Sequence, residues 1–581
     1  MEELPVTNNL NWKVAGLAGE GIMTTGLLFS KTCAKHGFFV FDYTEYPSLI
    51  RGGHNTYQVY ADMEAAHSQR RKIDVLVALN KNAVAFHASE LKPTSLVIYD
   101  KEDDKIEIGE FNLPCKAIDI PMVKLATEAG ADRLMGNNVG LGASIYLLGL
   151  DLDVYFGVVA AVFGKKGDDV VNLNKKVAQA GYDFAKSKTK PLYNLEAVSD
   201  TNRLAMTGNE AIGLGAIAGG LQFYAAYPMT PSSSLLHYLA KAANKANIVV
   251  KHAEDEISVV NMALGAAFSG VRAMVGTSGG GFAYMTEALG MSGVAELPLV
   301  VFESMRPGPA LGMPTWTAQG DLQFILFASQ DEFPRFVLTP GDAKEAFDLT
   351  RKALELAEKY QTLVMLVSDK SLSESRFTLE GIEDSYTNER FGFNHEPKPD
   401  ESGFYPRFAS SEDGITLRST PGQPGGMYIA NSYEHDEYGL ATEDGEVRKI
   451  QMDKRFAKLS KMEAEVPKQM YVGGEGLVTL VSFGSTKGPI MAAIQLLEKE
   501  NIKINFLHLS WVWPFPTEQV TNVIKTSNKV VVVEGNRQGQ LSRLIAQETG
   551  IKLTDNIRRY DGRPFYPEDI AEEVRRIINP K

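Results

Sequence analysis

Cysteine is nearly absent from this chain: its 581 residues include two, Cys33 and Cys115. An iron–sulfur cluster normally takes four thiolates, and a disulfide framework needs more than one pair. Neither is expected here, and such sparse cysteine suits a reducing cytosol. Long apolar runs are missing as well. The most apolar stretch, Val139 to Phe163, is interrupted by Asp151 and Asp153, which argues against a bilayer span. The start, Met-Glu-Glu-Leu-Pro, is acidic with no apolar core behind it, so no secretory signal is expected. Positive charge is in deficit, with 59 Lys and Arg against 72 Asp and Glu, a net −13. That balance disfavours nucleic acid or an anionic membrane as the main partner. A soluble, cytoplasmic protein is the expectation.

What is present describes globular structure throughout. A hydrophobic share of 44% and a charged share of 23% are ordinary for packed domains, and the length suits about three or four of them. Four regions separate. Residues 1–190 alternate strand patterns (Trp12–Ala15, Phe38–Phe41, Val75–Ala78, Ser95–Tyr99) with helical ones such as Ile22–His36. This predicts a mostly parallel α/β sheet. A polar, proline-containing linker is expected at Lys186–Leu192. Residues 205–395 restart the alternation: helix Gly208–Gly220, strand Phe223–Tyr227, helix Pro231–Ala246, strand Ile248–His252, helix Glu256–Ser269, strand Ala273–Gly276, a glycine run, helix Met285–Val294 and strand Leu297–Glu303. Residues 396–470 show no clear period and are expected to be an irregular loop region packed against the rest. Residues 471–581 are again α/β.

Five constellations could carry chemistry. Gly16-Leu-Ala-Gly19-Glu-Gly21 lies between a strand and a helix, where glycine lets backbone approach a phosphate at the helix N-terminus. Its G-x-x-G-x-G spacing is not the dinucleotide fingerprint, and a tight turn without ligand would look the same. Arg51-Gly52-Gly53-His54-Asn55 adds a polar, flexible segment beside a strand. In Tyr227-Pro228-Met229-Thr230-Pro231-Ser, Thr230 suits an N-cap and Pro231 a first helical position. Exposed amides and a hydroxyl there would take a carboxylate. Glu254-Asp255-Glu256 falls at a strand-to-helix junction, and acidic first turns commonly do no more than complement the helix dipole. Glu256 differs in that the helix behind it is apolar (Val259, Val260, Met262, Ala263, Leu264), and a carboxyl aimed into such an interior needs a strong partner. Glycines Gly279, Gly280 and Gly281 follow a strand and permit close backbone approach. Arg306, before Pro307, should emerge at the carboxyl edge of the sheet, where open α/β folds bind ligands, and it suits a planar carboxylate. Thr315, Gln319 and Asp321 continue that loop.

Together these motifs resemble the fused gamma–alpha chain of 2-oxoacid:ferredoxin oxidoreductases, and most closely its 2-oxoglutarate members. The resemblance spans nearly the whole length. It is sharpest at Tyr227-Pro-Met-Thr230-Pro-Ser, at Glu256 with Ala263-Leu-Gly-Ala, and at Arg306-Pro-Gly-Pro…Gly312-Met-Pro-Thr315. It implies a multi-domain α/β protein: a gamma-type domain (1–190), a domain of the kind that binds the pyrimidine ring of thiamine diphosphate (205–395), an irregular region near the active site (396–470), and a transketolase C-terminal-like domain (471–581). Gly16, Gly19, Gly21 and Arg51 would then serve coenzyme A. Tyr227, Pro228, Met229, Thr230, Glu256, Gly279 and Gly280 would line the thiamine site, and Thr230, Arg306 and Thr315 would hold the oxoacid. Asp436, within Glu434-His-Asp-Glu, matches a family loop near the active site.

The resemblance further implies that Glu256 hydrogen-bonds the ring nitrogen N1′ of thiamine diphosphate, with burial raising its hold on a proton. The Gly-Asp-Gly motif that binds magnesium and diphosphate occurs nowhere in the chain. A beta subunit is therefore expected to supply Mg2+ and the [4Fe-4S] cluster, with ferredoxin as electron acceptor and a dimer of alpha–beta pairs as the assembly. Lys251, His252 or Arg51 could meet the distal carboxylate of 2-oxoglutarate; pyruvate is the main alternative substrate. Two other readings fit parts of the pattern. One is a transketolase- or decarboxylase-like chain without iron–sulfur chemistry, and the other is a non-catalytic scaffold that binds an acyl-CoA.

Overall fold

The computed structural model describes residues 8–48, 52–103, 105–195, 203–382, 386 and 388–579. Three sheets organise them. The first has eight strands and is mixed. Lys116–Asp119, Leu91–Tyr99, Ile73–Ala78 and Asn9–Leu17 run parallel; His54–Asp62 is antiparallel to Asn9–Leu17, and Phe39–Glu45, antiparallel in turn to His54–Asp62, runs with the first four. Within residues 1–190 five of the six strands share one direction, in line with the mostly parallel expectation, and His54–Asp62 is the exception. Arg376–Leu379 and Leu204–Thr207 complete its far edge, so the first and second regions share one sheet. The Arg376 guanidinium faces the buried Asp42 carboxylate across that seam, 3.5 Å away. The expected linker begins later than its composition suggests, because the helix Asp168–Lys188 continues through Lys186.

The second sheet carries the strands that matter most for function. Its order is Trp511–Trp513, Arg335–Leu338, Leu363–Asp369, Leu299–Met305, Ala273–Thr277, Phe223–Ala226, Val249–His252. All but Trp511–Trp513 are parallel. Near-continuous apolar runs such as Val300-Val301-Phe302, buried on both faces, are what a parallel sheet between helices requires. The third sheet (Met470–Val472, Asn505–Leu509, Thr479–Phe483, Val530–Glu534, Asn556–Arg558) is parallel apart from its first strand. Among the described residues no helix is long and apolar enough to cross a membrane.

Residues 396–470 are not wholly irregular. Helices Gly445–Ala457 and Leu459–Ala464 lie within them, and their charged composition hid the apolar period. Buried ion pairs tie the segment down. Glu296, almost fully buried, meets Lys454 and, at 2.9 Å, Lys458. Glu358, paired with Arg272 at 2.8 Å, also lies 3.9 Å from Arg418 of the segment. Burial alone would raise the Glu296 carboxyl, but Lys454 and Lys458 hold it well below the usual range.

Removing one member of such a network strands the others in a dry interior, at a cost of about 3–5 kcal/mol. Glu296→Ala should therefore lower the thermal midpoint and expose residues 396–470 to protease. A folded pKa below the unfolded one gives stability that is complete above about pH 4.3 and lost as pH falls further. Acid scans of wild type should show that loss and scans of the variant should not; equal midpoints and equal acid sensitivity would contradict this role.

Candidate active site

The parallel strands of the second sheet end together, and four of the sequence motifs sit where they end. Phe223–Ala226 leads into Tyr227, Val249–His252 into Glu256, Ala273–Thr277 into Gly279, and Leu299–Met305 into Arg306. Asp255, not Glu256, caps the helix Glu256–Phe268: its side chain accepts the Ser258 amide at 2.7 Å. That capping frees the Glu256 carboxyl to turn inward. Glu256 is 5% exposed, and its Oε1 is buried without any hydrogen-bond partner. A Cβ on Gly281 would overlap that oxygen and the Thr277 hydroxyl, so glycine is what makes room for the carboxyl. Burial raises its pKa, with the Asp255 charge adding to the effect. The other face of the helix exposes Ile257 and Met262.

The glycine run is not a loop. Gly279–Gly281 form the first turn of the helix Gly279–Val294. Gly279 packs against the Asp321 carboxylate, so the close approach expected of these glycines is toward side chains of this chain. Thr230 also differs from expectation. The helix starts at Ser233 with Ser232 at its cap, because proline disfavours helical backbone in the residue before it. Thr230 instead offers its carbonyl to Arg306 Nη1 at 2.6 Å. Thr315 Oγ1 is buried without a partner. Tyr227 and Pro228 are exposed, Met229 is half-buried, and the Tyr227 ring meets His252 at 6.3 Å between centroids.

Around Arg306 lie carboxyl groups to which the sequence assigned no role. Glu303, one strand position inside the edge, is fully buried with both oxygens unpartnered. Burial, reinforced by Asp321 and Asp369 and opposed by Arg306, pushes its pKa far up and so favours its neutral form. Burial pushes Asp321 up to about 6, with Arg306 opposing. Asp369 accepts from Thr317 Oγ1 at 3.2 Å and from the Leu372 amide at 3.1 Å. A run of apolar letters ending in Glu-Ser-Met-Arg was the available signal for Glu303, but only the strand neighbours show that its carboxyl is enclosed.

Other expected site residues lie elsewhere. His435 bridges the Asp436 carbonyl and the Val294 carbonyl at 3.0 Å, which pins that loop at the C-terminal end of the helix whose N-terminus holds Gly281. The Asp436 carboxylate is occupied in its own turn, accepting from the Tyr438 and Leu440 amides. The helix between Gly281 and Val294 spans about 20 Å at about 1.5 Å per residue, so within one chain this loop lies at the opposite end of it from Glu256. In the Gly16–Gly21 loop, Gly19 and Gly21 have φ of 100° and 73°. The Glu20 carboxylate folds back to accept the Leu17 amide at 2.6 Å, packing where a Gly16 Cβ would lie. Arg51 lies outside the described residues. A cleft of about 640 Å3 separates this loop from the helix after Thr230, lined by Ala18, Asn55, Thr207, Ser234, His237 and Lys241.

Known proteins place this geometry in context. Residues 214–454 match the family model described as pyruvate flavodoxin/ferredoxin oxidoreductase, thiamine diphosphate-binding. Residues 11–184 match pyruvate ferredoxin/flavodoxin oxidoreductase, and residues 477–570 match pyruvate:ferredoxin oxidoreductase core domain II. The chain is 33% identical to a 2-oxoacid:ferredoxin oxidoreductase subunit alpha of Sulfolobus sp, over 98% of its own length and 97% of the relative's. It is 28% identical to the 2-oxoglutarate oxidoreductase subunit KorA of Mycobacterium tuberculosis, over 98% and 92%. A solved structure of 2-oxoglutarate:ferredoxin oxidoreductase from Magnetococcus marinus, with 2-oxoglutarate, coenzyme A and succinyl-CoA bound, superposes with a TM-score of 0.90 at 33% identity, covering 99% of this chain and 100% of that one.

The Asp321 carboxyl, within electrostatic reach of Arg306, makes a signed pH prediction. Below about pH 6 Asp321 is neutral, and an incoming carboxylate has the Arg306 charge to itself. Above it, the Asp321 anion competes. The KM for an oxoacid should rise about fivefold as pH climbs through that value, and Asp321→Asn should remove the step. An identical KM profile in the variant would contradict that role.

Proposed function

This chain belongs to the 2-oxoacid:ferredoxin oxidoreductases as an alpha subunit, and from that premise we propose that it takes part in converting 2-oxoglutarate to succinyl-CoA. In the proposed reaction the oxoacid and coenzyme A give the thioester, CO2 and a proton, and two electrons pass one at a time to ferredoxin. The observation that carries the proposal is the Glu256 Oε1, buried and unpartnered beside a glycine that leaves room for it. A protonatable ring nitrogen such as N1′ of thiamine diphosphate answers that need, so the residues fit the cofactor. Thiamine diphosphate, when bound, supplies the nucleophilic carbon and the electron sink for decarboxylation.

The chain's own groups then divide the work. Glu256 holds and shares a proton at N1′, which its burial favours. Arg306, steadied by the Thr230 carbonyl, takes the oxoacid carboxylate, and Thr315 Oγ1, buried and free to donate, takes a second oxygen. Burial favours the neutral form of Glu303, which limits the charge that would repel that carboxylate. Tyr227, Pro228 and Met229 wall the site, and Gly279 and Gly280 keep the helix start close to it. The same residues serve the reverse, CO2-fixing direction, since each holds a group common to both.

Two thiols cannot ligate a four-iron cluster, and Gly-Asp-Gly is missing, so we assign the cluster, Mg2+ and the diphosphate to a beta subunit. For coenzyme A we favour the 640 Å3 cleft, where Asn55 Oδ1 is buried and unpartnered, Lys241 offers a cation and His237 a ring nitrogen for hydrogen bonding. Gly19, with open space around it, follows Ala18 of that lining. Named 2-oxoglutarate relatives support that substrate. Pyruvate is the second reading, favoured by the family models named for pyruvate enzymes.

Viologen reduction by this chain co-purified with its beta subunit decides between them. Coenzyme A-dependent reduction with 2-oxoglutarate and little with pyruvate is expected. The reverse preference would transfer the proposal to pyruvate, and no reduction with either, despite bound thiamine diphosphate and an intact cluster, would contradict both.

A further inference from the structure

A second cleft lies along the edge strand of the third sheet, Asn556–Arg558, between it and the helix Pro567–Ile578. Its volume is about 520 Å3, and Arg537, Arg558, Arg559 and Arg576 line it against two carboxylates, Asp569 and Glu573. In a chain of net −13, this is a local inversion of charge. Two of the four guanidinium groups are already neutralised. Arg559 pairs with Asp561 at 3.0 Å and Asp569 at 2.7 Å, and Arg576 pairs with Glu573 at 2.5 Å. The other two have no carboxylate partner among the described residues. Arg558 donates to the Arg537 carbonyl at 3.0 Å, and the Arg537 side chain donates to nothing among the described residues.

Arg558 is also held in place. Its strand, Asn556–Arg558, pairs in parallel with Val530–Glu534. Its guanidinium lies against Gly539, where a Cβ would come within 2.7 Å of Nη2 and where φ is +72°. A side chain at that position would displace the guanidinium. Beside these donors stands Tyr560, 63% exposed and with no aromatic neighbour among the described residues. A planar, unpartnered ring next to a fixed guanidinium and a second, free one matches a ligand that joins an aromatic base to phosphates.

We propose that this cleft binds a nucleoside di- or triphosphate, its phosphates on Arg537 and Arg558 and its base on Tyr560. The site is distinct from the cleft assigned to coenzyme A, which lies between the first and second regions, and it does not depend on which oxoacid the enzyme uses.

Calorimetric titration of the assembled enzyme with ATP, pyrophosphate and adenosine tests this. ATP should bind and weaken steeply with added KCl, pyrophosphate should bind more weakly, and adenosine should not bind measurably. Saturating coenzyme A should leave ATP binding unchanged. The double variant Arg537→Ala, Arg558→Ala should lose about 30-fold or more in ATP affinity, and Tyr560→Ala about fivefold, with no effect on pyrophosphate. Viologen reduction should stay at the wild-type rate in both variants, confirming that they are assembled. Absence of ATP binding, equal affinity in the double variant, equal affinity for pyrophosphate and ATP, or displacement of ATP by coenzyme A would each overturn the proposal.

Discussion

An unpaired carboxyl oxygen in a protein interior is costly, by about 1–3 kcal/mol even for a neutral group, and Glu256 Oε1 is such an atom. Its position follows from three local facts. Asp255 takes over the capping of the helix, Gly281 supplies the space, and Thr277 closes the other side. The first turn of one helix and the first turn of the next are thereby locked together at the end of a parallel sheet. The pocket is preorganised around a proton acceptor whose natural partner is not part of the chain.

The rest of the site is arranged by loops that three units hold in common. The segment carrying Thr315 is clamped from the third sheet: Gln319 exchanges two hydrogen bonds with Gly535, each 2.8 Å, and donates to the Phe483 carbonyl at 3.0 Å. The Thr317 amide donates to Gly562 at 3.1 Å, and Arg563 stacks over Trp316. On the other side, Asp369 takes both Thr317 and Ser485. Arg306 thus sits in an enclosure of Glu303, Asp321 and Asp369, where burial raises the pKa of Glu303 far above the usual carboxylate range and that of Asp321 to about 6. The proposed binding of a carboxylate there would rely on suppressing the negative charge already present.

Much of this was legible along the chain because it is local. A strand, a break and a helix place Glu256, Arg306 and the Thr230 segment at one sheet edge, and residue spacing records that order. What escaped depends on contacts remote in sequence. Arg376–Leu379 pairs with Phe39–Glu45 across more than three hundred residues, so no window of sequence shows that two regions share a sheet. Glu303 looked like a strand residue and nothing more until its neighbours enclosed it. The cap at Ser232 and the helical start at Gly279 were misplaced because proline and glycine mark boundaries without saying on which side of them the helix begins. Asp436 was placed by its motif alone, and the His435–Val294 contact sets it at the opposite end of a helix from Glu256.

The central claim is that the Glu256 carboxyl activates the cofactor by holding a proton at its ring nitrogen. Glu256→Gln keeps the size and the burial and removes the shared proton, so viologen reduction with thiamine diphosphate bound to wild-type occupancy is the most direct measurement. The account predicts turnover reduced by about 100-fold or more with assembly and cofactor occupancy retained. Turnover within a few-fold of wild type at full occupancy would contradict it.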